Sequence, residues 1–136
     1  MKNLKKEYNI VFSGLKLGEH EFTYKLTHEF FEEYGFEEFL DSALTVHVNM
    51  KKSNTMLEFS FDLKGEIEVE CDLTLKPFWM TVSNQFELVV KFGEEFNDDN
   101  EELLILPHGA YEVNVAQYIY EMLVLSVPVK RVHPGV

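Results

Sequence analysis

The segment YEVNVAQYIYEMLVLSVPVKRVHP, residues 111–134, contains the strongest helical pattern in the sequence. Apolar residues recur there at the i, i+3, i+4, i+7 and i+8 spacing of a one-sided helix. They are Val115, Tyr118, Ile119, Met122 and Leu123. Val124 and Leu125 widen this stripe, which predicts that the helix is buried on more than one side. The pattern therefore predicts a C-terminal helix that covers the apolar face of other elements.

Both ends of this helix carry recognisable signals. Asn114 occupies the N-cap position, and Gln117 is placed to complete a capping box with it. Pro128 ends the pattern, because the residue before a proline is pushed out of the helical region.

Upstream of the helix, apolar and polar residues alternate in the manner of half-buried β-strands. The clearest stretch is residues 57–73, where nearly every second residue is apolar and the intervening ones are mostly acidic. Gly65 interrupts its apolar phase and predicts a bend or bulge, and Asn84 predicts a bulge in a later strand. The other predicted strands are residues 8–12, 20–26, 44–50, 78–92 and 103–106. We expect the first two of these to pair as a hairpin.

These elements predict an α+β fold, with a curled, partly barrel-like antiparallel sheet of about six strands covered by the C-terminal helix. A short helix or irregular connector is predicted near residues 28–41, with Thr27 as its N-cap and Gly35 at its end. The length of 136 residues fits a single domain over residues 1–136. Because the sequence stops abruptly after HPGV, we expect that it lacks a natural C-terminal tail.

The sequence is strongly acidic, with 24 acidic and 12 basic side chains and a formal net charge of -12. Such a field repels nucleic-acid phosphates and attracts basic partners. The acids concentrate in residues 29–41 and 94–102, and the second cluster lacks the spacing of a calcium-binding loop. The candidate partner-binding residues are this second cluster and a short basic tail: Glu94, Glu95, Asp98, Asp99, Glu101, Glu102, Lys130, Arg131 and His133.

Motifs for catalysis or cofactor binding are absent from the sequence. It contains no glycine-rich phosphate loop, G-x-S-x-G elbow or H-E-x-x-H motif, so no catalytic, cofactor-binding or metal-ligating residue is predicted. Cys71 is the single cysteine, which excludes an intramolecular disulfide, and its inward phase predicts an unreactive packed thiol. His20 is expected to be half-buried and hydrogen-bonded. Trp79 is either capped by the N-terminal segment or exposed for a partner.

The sequence also lacks the signals of a membrane protein. No stretch approaches the ~18–20 apolar residues of a membrane-spanning helix, and the start MKNLKKEYNIVF has no signal-peptide core. We therefore predict a cytoplasmic location, with neither a membrane nor DNA as a partner.

Two stretches resemble a known family. Residues 113–134, VNVAQYIYEMLVLSVPVKRVHP, resemble the closing segment of the YceD-like family, the large ribosomal RNA subunit accumulation proteins. The residues that carry this resemblance are Asn114, Leu123, Leu125, Pro128, Lys130 and Arg131. Residues 65–78, GEIEVECDLTLKPF, resemble the family's strand and turn with a C-x-R-C motif, of which only Cys71 is present. Leu73 and Thr74 replace the arginine and the second cysteine, so metal or thiol chemistry is not carried over.

The resemblance implies a role in the accumulation of large-subunit ribosomal RNA, and hence in ribosome biogenesis. Combined with the acidic composition, it leads to a specific hypothesis. The protein is not an enzyme, and it binds a basic ribosomal protein or assembly factor through residues 94–102 and 29–41. Its contact with ribosomal RNA would then be indirect.

Three alternatives stay open at this point. Direct RNA contact would use the Lys130 and Arg131 tail, joined by Lys5 and Lys6. A ligand-binding domain would enclose an apolar cavity. The expected lining of that cavity is Phe59, Phe61, Phe86 and Tyr118. An enzyme would need a cleft with converging titratable groups, and no nucleophile–base pair is readable in the sequence.

Overall fold

The computed structural model describes residues 7–36, 39–128 and 131. The elements in chain order are β1 (Asn9–Val11), β2 (Gly18–Leu26), α1 (His28–Glu33), β3 (Asp41–Lys52), β4 (Met56–Glu70), β5 (Pro77–Gly93), β6 (Asn97–Asn100), β7 (Leu103–Pro107), β8 (Glu112–Asn114) and α2 (Ala116–Ser126). A six-stranded sheet has the order β2-β3-β4-β5-β7-β6, and β1 and β8 form a separate antiparallel pair. The predicted α+β class, with a sheet covered by a C-terminal helix, is confirmed.

The prediction of a partly barrel-like, fully antiparallel sheet was wrong. In the described residues the sheet is open, with β2 and β6 at its two edges. β7 also runs parallel to β5, whereas the other pairs in this sheet are antiparallel. The reason is that residues 94–102 do not form a simple loop. They turn the chain back as β6 at the edge, and β7 then reverses again into the position beside β5.

The predicted N-terminal hairpin was also wrong. β1 pairs with β8, so that Ile10 lies opposite Val113, while β2 pairs with β3. Lys52 ties the connection between β1 and β2 to β3, because its ammonium donates to the carbonyls of Phe12 and Leu15, each at 2.7 Å. Alternation predicts which side chains are buried, but it does not specify which strand is the neighbour.

The long strands β4 and β5 pair without interruption, so the bulges predicted at Gly65 and Asn84 are absent. Gly65 instead allows a close approach: its φ is +150°, and a Cβ at this position would lie 2.1 Å from the Ala43 carbonyl oxygen on β3. Asn84 has a different role, since its side-chain amide donates to the Met122 carbonyl of α2 at 3.0 Å. The sheet is thereby hydrogen-bonded to the helix that covers it.

The helix α2 covers the sheet through four buried residues, which are Ala116, Ile119, Met122 and Leu123. It begins one residue later than the cap prediction requires, with Val115 at the N-cap position. Asn114 still contributes, because its Oδ1 accepts a hydrogen bond of 3.0 Å from the Ala116 N–H. The predicted capping box is absent, since Gln117 donates to Glu121 at 3.1 Å instead.

The connector near residues 28–41 contains the short helix α1, which has about one and a half turns. A short helix was one of the two forms predicted for this connector. Thr27 is its N-cap residue and makes no side-chain cap hydrogen bond. Gly35 follows the helix with a φ of +64°, and its N–H donates to the Glu32 carbonyl at 3.0 Å. Phe30 and Phe31 are buried, so α1 closes one side of the core with aromatic rings.

Candidate partner-binding groove

An open groove of about 950 Å³ runs beside α2, between this helix and the β5, β7 and β6 side of the sheet. Its lining is largely apolar. The apolar lining residues are Phe86, Phe96, Leu104, Leu106, Val113, Tyr118, Tyr120, Met122, Val124 and Leu125. Because these side chains come from a helix and from four strands or their connections, the groove is a product of the tertiary fold.

Several of these apolar side chains are exposed to solvent. Leu125 is 82% exposed, Phe96 57% and Val124 40%. The sequence-based expectation that Val124 and Leu125 are buried was therefore wrong: α2 packs on the sheet by its other face. Exposed leucine and phenylalanine side chains gathered in one concave surface are typical of a binding site rather than of ordinary solvent-facing surface.

Acidic side chains surround this apolar lining. Asp98 and Glu101 come from the β6 segment, Glu112 from β8 and Glu121 from α2. The described lining residues include no lysine, arginine or histidine. The field inside the groove is therefore negative, which favours a cationic occupant and opposes a phosphate or carboxylate.

Two tyrosines show how the acidic clusters meet at this groove. Burial, followed by the negative charges of Asp98 and Glu121, raises the pKa of Tyr118. Burial, followed by Glu33, Tyr120 and Glu121, raises the pKa of Tyr34 at the end of α1. The Glu121 carboxylate contributes to both shifts, so it lies near both phenols.

Ring stacking holds the two helices in this arrangement. Tyr34 stacks on Tyr120 of α2, with a centroid separation of 4.2 Å and an interplanar angle of 6°. Phe36 packs edge-on against the same Tyr120 ring at 5.9 Å. The cluster at residues 29–41, as far as it is described, therefore lies on the α2 side of the molecule.

The predicted partner-binding residues do not all lie at the groove. Asp98 and Glu101 line the groove. The other acids of the cluster, Glu94, Glu95, Asp99 and Glu102, are exposed around β6 and do not line it. Lys130 and His133 lie outside the described residues.

Arg131 is held away from the acidic cluster. Its backbone N–H donates to the Asp72 carboxylate at 2.8 Å, and its carbonyl accepts from the Asp72 N–H at 2.7 Å. Asp72 follows β4 beside the start of β5, whereas residues 94–102 follow the end of β5. The structure thus brings Arg131 to the turn at residues 71–76 rather than to the groove.

Comparison with known proteins supplies the family. The sequence model described as large ribosomal RNA subunit accumulation protein YceD matches residues 59–136, which is more than half of the chain. The chain belongs to the YceD family. No curated protein and no solved structure matches it. The family's description indicates a role in accumulation of the large ribosomal RNA subunit.

The YceD match contains almost the whole groove. It begins inside β4 and extends over β5 to β8 and α2, and of the groove lining only Asn9 lies outside it. It also contains residues 65–78 and 113–134, the two stretches on which the resemblance depended. The groove is therefore a feature of the part of the chain that defines the family membership.

The predicted interior ligand cavity is not formed as expected in this YceD chain. Phe59 and Phe61 are buried and stack on each other at 5.9 Å, and Phe61 packs on Phe86 at 6.0 Å. Phe86 then stacks on Tyr118 at 6.1 Å. The four rings lie in a row from the buried core to the groove, and of these only Phe86 and Tyr118 line the groove.

Other candidate sites hold structural side chains. Cys71 is buried, as predicted, and His20 is half-buried with its Nε2 2.7 Å from the Lys16 carbonyl. Trp79 is 45% exposed on the outer face of β5. In the described residues, no three His, Cys, Asp or Glu side chains are grouped so that they would hold a metal ion. None of the described helices is long and apolar enough to span a membrane.

Sequence reasoning missed four groove residues that matter most: Phe96, Glu112, Glu121 and Leu125. Phe96 was visible as a lone aromatic residue inside the acidic stretch GEEFNDDNEE. Glu112 and Glu121 are isolated acids near the helix, and no local pattern relates them to residues 94–102. Only the tertiary fold, which places α2 across the groove from β6 and β7, brings them together.

Proposed function

We propose that this YceD protein is a non-enzymatic, cytoplasmic ribosome-biogenesis factor that binds a basic ribosomal protein or assembly factor. The observation that supports this proposal is the groove beside α2, where exposed apolar residues are surrounded by Asp98, Glu101, Glu112 and Glu121. The function indicated by the family, accumulation of large-subunit ribosomal RNA, would follow from delivering or stabilising that basic protein.

A protein partner is favoured over RNA by the distribution of charge. The outward phase of β4 adds further acids to those of the groove: Glu58, Asp62, Glu66, Glu68 and Glu70. A phosphate backbone approaching either surface would be repelled, whereas a lysine-rich chain would be attracted at long range. Contact with ribosomal RNA is accordingly proposed to be indirect.

The non-enzymatic part of the proposal rests on the chemistry of the groove. Its described lining contains no histidine, cysteine, lysine, serine or threonine, so a nucleophile–base pair of the Ser–His or Cys–His type is not assembled there. Acidic and amide side chains beside apolar ones are instead suited to recognition.

The test is affinity capture from lysate with a tagged chain, at low and high salt, with and without RNase. We expect a basic ribosomal or assembly protein that survives RNase and is lost at high salt, because the attraction between exposed charges is screened. Capture that disappears with RNase would instead establish direct RNA contact, and capture unaffected by salt would refute an electrostatic receptor.

A matched pair of variants locates the interaction. The groove variant combines D98N, E101Q, E112Q and E121Q. The control combines E19Q, E58Q, E66Q and E70Q, which are exposed acids on the outer face of the sheet. Both variants remove the same number of negative charges, so a difference in capture between them cannot be due to net charge alone. We expect capture to be lost in the groove variant and retained in the control.

A further inference from the structure

We propose that the groove beside α2 receives the apolar face of a short, basic amphipathic helix of the partner. This inference rests on the function proposed above and specifies the chemistry of the segment that is bound. Three properties of the groove lead to it: exposed apolar anchors, a rim of one sign of charge, and an edge strand that is unsuited to pairing.

The apolar anchors require an occupant with an apolar side. Leu125 and Phe96 are 82% and 57% exposed, and both face the same groove. Burial of such side chains against a partner would add a favourable contribution to that of the surrounding charges. A purely hydrophilic lysine-rich tail would leave them in water.

The acidic rim requires that the same occupant also carry cations. Asp98 and Glu101 lie on the β6 side, and Glu121 lies on the α2 side. A segment lying between them would place basic side chains on both flanks of its apolar strip. An apolar ligand with a carboxylate or phosphate head group would meet repulsion instead.

The edge strand β6 disfavours an occupant that adds as a β-strand. The Asp99 N–H donates to the Asn97 side chain at 2.9 Å, and the Glu102 N–H donates to the Asn100 side chain at 2.8 Å. Within β6 the Asp99 N–H is thus unavailable to an added strand, and the Glu102 N–H is engaged just after the strand ends. The pairing of β6 with β7 is also irregular in register.

A helix matches the remaining geometry. The α2 residues that line the groove extend from Gln117 to Leu125, and this length of helix spans about 12 Å. A helix of two to three turns laid alongside would present anchors at i, i+3, i+4 and i+7 to it. Arg131 is fixed to Asp72, which does not line the groove, so the position of Arg131 gives no support to the chain's own tail as the occupant.

The experiment uses the full chain and three labelled synthetic peptides, with binding measured by fluorescence anisotropy. The first peptide has leucine at i, i+3, i+4 and i+7 and lysine elsewhere. The second has the same composition with leucine and lysine alternating, and the third has glutamate in place of every lysine. We expect the first to bind at least about tenfold more tightly than the second, because only it collects its leucines on one helical face. The third should not bind.

Single substitutions then connect binding to the groove. L125A and F96A should each weaken binding of the first peptide about threefold to tenfold. L17A is the control, since Leu17 is 58% exposed and does not line the groove. All three side chains are exposed, so thermal unfolding should stay unchanged and confirm that the variants fold.

The outcomes separate failure of this inference from failure of the proposed function. Equal binding of both lysine peptides, or tighter binding of the alternating one, would overturn the helix proposal and leave a charge-based receptor intact. Failure of both lysine peptides to bind at low salt would overturn the proposed function as well. Weakening by L17A equal to that by L125A would place the interaction outside the groove.

Discussion

Replacing Gly65 by alanine is expected to destabilise the sheet severely. Gly65 lies in the middle of β4, opposite Leu44 on β3 and Val82 on β5. A Cβ there would lie 2.1 Å from the Ala43 carbonyl oxygen and 2.9 Å from the Leu44 Cα. Both neighbours are backbone atoms of a paired strand, so they cannot rotate away as a flexible side chain would.

Two effects determine how far the G65A substitution lowers the free energy of unfolding. An L-residue held at a φ of +150° carries backbone strain of about 1–3 kcal/mol. Forcing β3 and β4 apart adds an overpacking cost of about 1–3 kcal/mol. The free energy of unfolding should therefore fall by about 2–6 kcal/mol, a large part of the ~5–15 kcal/mol of a typical domain. The melting temperature should fall by roughly 7–20 °C.

Urea unfolding followed by tryptophan fluorescence would measure this loss. Trp79 is the only tryptophan, and it lies on β5 opposite Glu68 of β4, so it reports on the affected pair of strands. G109A is the matched control, because a Cβ on Gly109 meets nothing within 4 Å. It should change stability by no more than about 0.5 kcal/mol. If G65A unfolded at the same urea concentration as G109A, the argument from close strand approach would be refuted.

Three further predictions address the core and the groove. Burial, followed by Glu7 and neighbouring tyrosines, raises the pKa of Tyr8 from 10.0 to about 12. Because the unfolded chain loses this proton first, stability should be complete below pH 10 and fall as the pH rises towards 12. Y8F should show a shallower fall in urea unfolding at a series of alkaline pH values. N84A removes the hydrogen bond to the Met122 carbonyl and should lower the free energy of unfolding by about 1 kcal/mol in the same assay; no loss would mean that this hydrogen bond does not contribute to holding α2 on the sheet. E121Q should lower the pKa of Tyr118 in an ultraviolet absorbance titration, and an unchanged curve would contradict the position inferred for Glu121.

Much of the fold could be predicted because burial follows local periodicity. The alternation in residues 57–73 corresponds to a buried face that extends from Leu57 on β4 to Cys71 just after it, with Gly65 as the exception, whereas Leu73 in the following turn is 64% exposed. Strand partners could not be predicted in the same way. The pairing of β1 with β8 joins residues about a hundred positions apart, and no local pattern contains that information. The parallel pairing of β7 with β5 likewise depends on the position of β6 at the edge of the sheet.

The site was predicted in part for a similar reason. Asp98 and Glu101 belong to a cluster that is obvious in the sequence, and they do line the groove. Leu125 was misread because its place on the apolar stripe indicates burial, whereas the sheet extends under only one face of α2. An apolar residue that fits a helical stripe and yet remains exposed can be recognised only once the packing is known.

The groove also depends on the part of the chain that precedes the YceD match. The Val115 N–H donates to the Tyr8 carbonyl at 3.0 Å, so the start of α2 is held by the residue before β1. Tyr34 stacks on Tyr120 and supports α2 from the side of α1. Residues 59–136 therefore supply nearly all of the lining, but the N-terminal residues fix the helix that forms one wall. A partner helix would consequently contact side chains of residues 59–136, whereas the position of α2 would depend in part on contacts from residues that precede the match.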